Sequence, residues 1–181
     1  MINRNKVAIT SFVCIFIVMI LWKTSANTSL WEWLASISLF VLVVHTGYGA
    51  DQLITRFPKS KVSDHIIDSL ILLSLLGSIL VLPKLEWTNG FIASFYYFIG
   101  LRYTYIQKKA AGENKRYANT KLAIEAPLML LFAVFSAGSV ILPPIFTQML
   151  QSVLLFFVMV IGSIWLYFFS GVYAIARKNI K

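Results

Sequence analysis

The stretch Gly49–Leu70, GADQLITRFPKSKVSDHIIDSL, forms a short polar hinge between two long apolar runs. It holds three of the seven acidic residues of the chain, Asp51, Asp64 and Asp68. Asp64 and Asp68 are four positions apart, a spacing that places both carboxylates on one face of a helix. Three carboxylates that converge at the rim of a membrane fit Mg²⁺ or Mn²⁺, because these ions prefer hard oxygen ligands.

The composition indicates an integral membrane protein. Of the 181 residues, 59% are hydrophobic and 13% are charged, whereas a soluble domain of this length needs more polar surface. The length fits one compact domain over residues 1–181. The single cysteine, Cys14, lies in an apolar run and has no internal disulfide partner.

Six apolar segments have about the 17–25 residues that a membrane-spanning helix needs. The first follows Arg4 and Lys6 like a signal peptide, but no convincing small-x-small cleavage site follows and five more apolar runs come after it. We therefore predict an all-α integral membrane fold, a bundle of six transmembrane helices. Their approximate ranges are 7–22, 33–50, 66–82, 91–107, 122–142 and 150–176.

The positive charge is placed asymmetrically along the chain. Fourteen of the sixteen Lys and Arg residues lie at the termini, around the hinge or around the link between segments four and five; only Lys23 and Lys84 lie elsewhere. Because cytoplasmic loops carry an excess of Lys and Arg, this pattern predicts that both termini and the hinge face the cytoplasm. We expect the membrane to be a bacterial-type cytoplasmic membrane. The net charge of +9 then reflects topology and lipid contact, and nucleic-acid binding is not expected.

The polar residues have two interpretations. Asp64 and Asp68 suit the first turn of a helix as solvated charges, favoured by the helix dipole. Arg102 lies about one turn from the cytoplasmic end of segment four, where it either reaches the surface or meets a phosphate or an aspartate. A basic rim around carboxylates is typical of metal-assisted phosphoryl transfer. His45 is either a metal ligand or, more simply, a buried histidine satisfied by a neighbour.

Two parts of the hinge, DQLITR at 51–56 and SDHIIDSL at 63–70, resemble a known signature. It is that of the CDP-alcohol phosphatidyltransferases, D-x-x-D-G-x-x-A-R, then eight residues and G-x-x-x-D-x-x-x-D. Short stretches are similar to phosphatidylglycerophosphate synthases within this family: 100–102, 118–121 and 170–173. The sequence departs from the signature at Tyr48, which replaces the first aspartate, at Gln52, which replaces a glycine, and in a link about five residues shorter.

The resemblance implies a metal-dependent enzyme. It implies transfer of a phosphatidyl group from CDP-diacylglycerol to a small alcohol, with glycerol 3-phosphate favoured, release of CMP, and a homodimer in the membrane. By the resemblance, the ligands of Mg²⁺ or Mn²⁺ are Asp51, Asp64 and Asp68, and Asp68 is also the catalytic base. The candidate phosphate contacts are Arg56, Arg102 and Lys121.

Two other functions remain open on the sequence. Tyr48 and the shortened link favour a catalytically impaired relative that binds a lipid or a partner. Arg102 alone favours a small transporter or channel. A transporter is expected to carry polar residues near the middle of several helices, whereas here they collect at one rim.

Overall fold

The computed structural model describes residues 29–56, 62–81, 84–139 and 141–169. Every regular element within these ranges is helical, which confirms the predicted all-α class. The elements are α1 (Leu30–Arg56), α2 (Val62–Leu80), α3 (Leu85–Gln107), α4 (Gly112–Gly138), α5 (Pro144–Phe156), a π-helix (Phe157–Ile161) and α6 (Gly162–Phe168).

Local sequence explains where several helices begin. At the start of α1, the backbone N–H of Ser29 donates to Glu32 Oε2 (3.0 Å) and that of Glu32 donates to Ser29 Oγ (3.3 Å), which is a capping box. Pro144 opens α5, where its missing N–H costs nothing. Gly112 has a φ of +57°, a conformation that favours glycine, and it starts α4 directly after the turn from α3.

Three helices of the described part are long and apolar enough to cross a membrane: Leu30–Gly47, Gly112–Gly138 and Phe146–Leu166. This supports a membrane protein, but the predicted bundle of six spans is not supported. The predicted segments 66–82 and 91–107 do form helices, α2 and α3, yet neither is among these three. The predicted first segment, 7–22, lies outside the described residues.

The helices pack as two groups around a shared core. In one group α3 lies between α2 and α4, and in the other α1 packs on α5 and the π-helix. The ring of Tyr96 on α3 stacks on that of Phe132 on α4, with centroids 5.9 Å apart. The fully buried core side chains come from both groups and include Leu39, Leu42, Leu75, Ile92, Phe95, Phe132 and Leu155.

Candidate functional site

The first polar cluster, which we call the Arg102 triad, consists of Arg102, Asp64 and Asp68. Asp64 lies in the first turn of α2 and Asp68 one turn later, on the same face as predicted. From α3, Arg102 Nη1 lies 2.6 Å from Asp64 Oδ1, and Nε lies 3.1 Å from Asp68 Oδ1. The Arg102 and Asp64 side chains are each 7% exposed, while that of Asp68 is 47% exposed, so the triad opens to its surroundings at Asp68.

The guanidinium acts as the counter-cation of the two carboxylates. Two carboxylates on adjacent turns repel each other, and in a buried setting one of them needs a compensating charge. The sequence allows Arg102 to reach the surface or to meet a phosphate or one aspartate; in the structure it contacts both aspartates. This contact also ties α2 to α3.

The family resemblance implies a divalent metal ion at Asp51, Asp64 and Asp68, of which the structure describes the side chains of Asp64 and Asp68. Within the described ranges, no group of three His, Cys, Asp or Glu side chains lies close enough together to hold a metal ion. Asp64 and Asp68 each place an oxygen close to the Arg102 guanidinium. Asp51 and Arg56 lie in the last two turns of α1, but their side chains are outside the described part. A metal site with Asp51 therefore stays a prediction.

The second polar cluster, the Lys121 cluster, consists of Lys121, Glu125, His45, Tyr103 and Tyr117. Lys121 Nζ on α4 lies 3.0 Å from Glu125 Oε1 and 3.5 Å from His45 Nε2 on α1. An ammonium group only donates hydrogen bonds, so His45 Nε2 accepts and the imidazole proton is on Nδ1. Lys121 and Glu125 are only 2% and 3% exposed. The structure thus places Lys121, a predicted phosphate contact, in a different cluster from Arg102.

The two clusters lie on opposite sides of α3. Arg102 meets α2, and the next residue, Tyr103, packs edge-on against Tyr117 of α4 with ring centroids 6.1 Å apart. Counted at 1.5 Å per residue, Glu125 lies about 13 Å along α4 from the exposed Arg116. Lys121 and Glu125 therefore lie inside a candidate span, where ionisable groups are costly and usually serve a function.

A cleft of about 400 Å³ separates the two helix groups next to the Lys121 cluster. Its wall is almost entirely apolar, and its polar side chains include those of Glu125, His45 and Tyr96. The π-helix lies along one side, and π-helical turns occur frequently at functional sites. The lining residues are Leu42, His45, Tyr96, Ile124, Glu125, Leu128, Phe157, Val158, Met159, Ile161, Gly162, Ser163, Trp165 and Leu166.

Sequence reasoning missed Glu125, although a signal for it exists. Glu125 is the one acidic residue within the predicted segment 122–142, and it follows Lys121 by four positions, a spacing that favours an ion pair on a helix. The prediction that polar residues collect at one rim of the membrane did not take the pair of Lys121 and Glu125 into account. Tyr103 and Tyr117 gave no such signal, because aromatic residues in apolar helices are common packing residues.

Comparison with known protein families, with curated proteins and with solved structures finds no match to this chain. The likeness of Gly49–Leu70 to the CDP-alcohol phosphatidyltransferase signature therefore stays a hypothesis that rests on the quoted residues. The functional proposals below rest on the geometry of the two clusters and the cleft.

Proposed function

We propose that this protein is an integral membrane protein that binds a lipid-like molecule in the cleft beside the Lys121 cluster. The observation that carries the proposal is the cleft itself, an apolar space of about 400 Å³ with Glu125 in its wall. Small-molecule sites typically have about this volume, apolar walls and a few convergent polar groups. The cleft has all three properties.

The charges of the Lys121 cluster support this proposal. A buried ion pair is weak support for stability, because the cost of removing both charges from water offsets their attraction. The pair of Lys121 and Glu125 inside a candidate span is therefore better explained by a ligand than by the fold. Lys121 also reaches His45, a lining residue of the cleft, and this contact connects α4 to α1.

The Arg102 triad has a structural part in this proposal. Arg102 contacts both Asp64 and Asp68 and ties α2 to α3. The orientation remains the one proposed from the charge pattern, with the exposed residues Lys108, Lys109, Lys115 and Arg116 at the cytoplasmic surface.

Quenching of tryptophan fluorescence tests lipid binding in the cleft. Trp165 lines the cleft, and its signal is isolated as the difference between the chain and a Trp165→Phe variant. In nanodiscs of unbrominated lipid, we expect small amounts of a dibrominated C18 lipid to quench Trp165 saturably. A Cβ at Gly162 meets no atom within 4 Å, so Gly162→Leu fills the cleft from its wall and abolishes the saturable quenching.

The matched control is Gly138→Leu, since Gly138 has equally open surroundings but lies outside the cleft lining. In this variant, the brominated lipid is expected to quench Trp165 as it does in the unaltered chain. Quenching that rises linearly with the brominated lipid in all three proteins would mean that Trp165 meets only bulk lipid, and the cleft proposal would be wrong.

A second function, metal-dependent phosphatidyl transfer, is favoured by one specific observation. Asp64, Asp68 and Arg102, three of the residues assigned by the family resemblance, lie together. For this function we expect the purified protein with Mg²⁺ or Mn²⁺ to convert CDP-diacylglycerol and glycerol 3-phosphate to a phosphatidyl product and CMP. Asp68→Asn should abolish turnover, because it removes the proposed base.

Glu113→Gln is the matched control for the transfer assay. Glu113 is an exposed acidic residue in the first turn of α4, so its neutralisation should leave turnover unchanged. The absence of CMP release with a panel of acceptor alcohols at high metal concentration would exclude the transferase and leave the lipid-binding proposal standing.

A further inference from the structure

We propose that the ligand of the cleft is an uncharged lipid with a free hydroxyl group, which donates a hydrogen bond to Glu125. The inference rests on the lipid-binding function proposed above and adds the chemical class of the ligand. Long-chain alcohols and diacylglycerols share this chemistry. Three features of the cleft carry the inference: the charge balance beside it, the acceptor in its wall and its apolar mouth.

The charge balance beside the cleft selects a neutral head group. Lys121 and Glu125 carry opposite charges 3.0 Å apart, and the neutral His45 completes the cluster. A cationic head group would add an uncompensated charge to a region of low dielectric, where charge is expensive. An anionic head group would meet the carboxylate of Glu125 in the wall. A neutral group avoids both costs.

The carboxylate of Glu125 in the wall favours a ligand that donates a hydrogen bond. An ionised carboxylate only accepts hydrogen bonds and has about four lone-pair positions, of which Lys121 engages those of Oε1. A hydroxyl group at Glu125 makes a charge-assisted hydrogen bond, which is about twice as strong as one between neutral groups. A methyl ether or an ester oxygen has no hydrogen to donate there.

The walls and the mouth accommodate an alkyl tail. The cleft is also lined by aliphatic side chains such as Leu42, Leu128 and Val158. Phe157 and Trp165, which also line it, are 54% and 52% exposed, so this side of the cleft faces the surroundings of the helices. In a membrane those surroundings are hydrocarbon, and a tail longer than the cleft extends into the bilayer.

Four brominated probes that differ only in their head group test the inference through quenching of Trp165. They are 9,10-dibromo-octadecanol, its methyl ether, 9,10-dibromostearate and 9,10-dibromo-octadecylammonium. In the unaltered chain we expect half-maximal quenching by the alcohol at a mole fraction about tenfold lower than by the ether, from one charge-assisted hydrogen bond. This comparison requires no variant to fold.

A double variant tests whether the preference for the alcohol over the ether depends on the Lys121–Glu125 pair. In Lys121→Met/Glu125→Leu, which removes the pair without leaving a lone buried charge, alcohol and ether should quench at equal mole fractions. Displacement of the brominated alcohol by unbrominated oleyl alcohol or by dioleoylglycerol distinguishes the two sources of the hydroxyl group.

The results separate the inference from the function on which it rests. Saturable quenching with equal affinity for alcohol and ether, or a preference for the anionic or the cationic probe, would overturn the hydroxyl-lipid inference while the lipid-binding function stands. Linear quenching by all four probes would overturn both. An alcohol preference that persists in the double variant would also contradict the role of Glu125.

Discussion

Replacing Lys121 with methionine is expected to cost about 3–5 kcal/mol of stability, the typical effect of removing one partner of a buried ion pair. The change leaves the carboxylate of Glu125, 3% exposed, without its ammonium partner at 3.0 Å. The midpoint of thermal unfolding in detergent, followed by circular dichroism, measures the loss. Lys115→Met, at an exposed position of the same helix, should change stability by about 0.5 kcal/mol or less.

The same pair predicts a rescue. Lys121→Met combined with Glu125→Leu removes both charges and is expected to recover most of the lost stability, because apolar residues often replace a buried ion pair at little cost. A double variant as unstable as Lys121→Met alone would show that volume, not charge, dominates at this position. An unchanged unfolding midpoint in Lys121→Met would contradict the buried pair itself.

Replacing Arg102 with methionine is the second large change. It leaves the buried Asp64 without the guanidinium that lies 2.6 Å away, and again about 3–5 kcal/mol is expected. The contact of Arg102 with Asp68 contributes much less to stability than that with Asp64, because the Asp68 side chain is 47% exposed and water screens its charge. Thermal unfolding in detergent should therefore rank Arg102→Met far below Asp68→Asn in stability.

Two variants control the Arg102 measurement. Lys108→Met removes an exposed cation just after the end of the same helix and should leave the unfolding midpoint within error of the unaltered chain. Arg102→Met with Asp64→Asn should recover part of the loss, since no buried carboxylate then lacks a counter-charge. If Arg102→Met unfolded like the unaltered chain, the guanidinium would not hold the triad together.

From the sequence, a contact of Arg102 with one aspartate is one of several alternatives, and the contact with both is seen only in the structure. The spacing of Asp64 and Asp68 determines that they share a helical face, and an arginine near the end of a neighbouring helix is a natural partner. Hydropathy placed the start of the fifth segment at 122, whereas α4 begins at Gly112. The basic residues 115 and 116, interpreted as a loop, are solvated positions in the first turns of that helix.

The Lys121 cluster and the cleft depend on tertiary contacts that no local pattern reveals. His45 is 76 positions from Lys121, and only the packing of the two helix groups brings their nitrogen atoms within 3.5 Å. The cleft exists because the two helix groups do not pack closely along their whole length. How closely they pack depends on the shapes of many side chains at once. The π-helix likewise has no proline or glycine within Phe157–Ile161 that would predict it.

The π-helix affects which of the side chains that follow it face the cleft. A π-helical turn holds about one residue more than the 3.6 residues of an α-helical turn, so the side chains after it lie about 100° from where a continuous α-helix would place them. α5 precedes the π-helix and packs on α1, while Trp165 and Leu166 follow it and line the cleft. If the same residues closed into α-helical geometry, Trp165 and Leu166 would rotate by about 100° about the helix axis, and a ligand would meet other side chains.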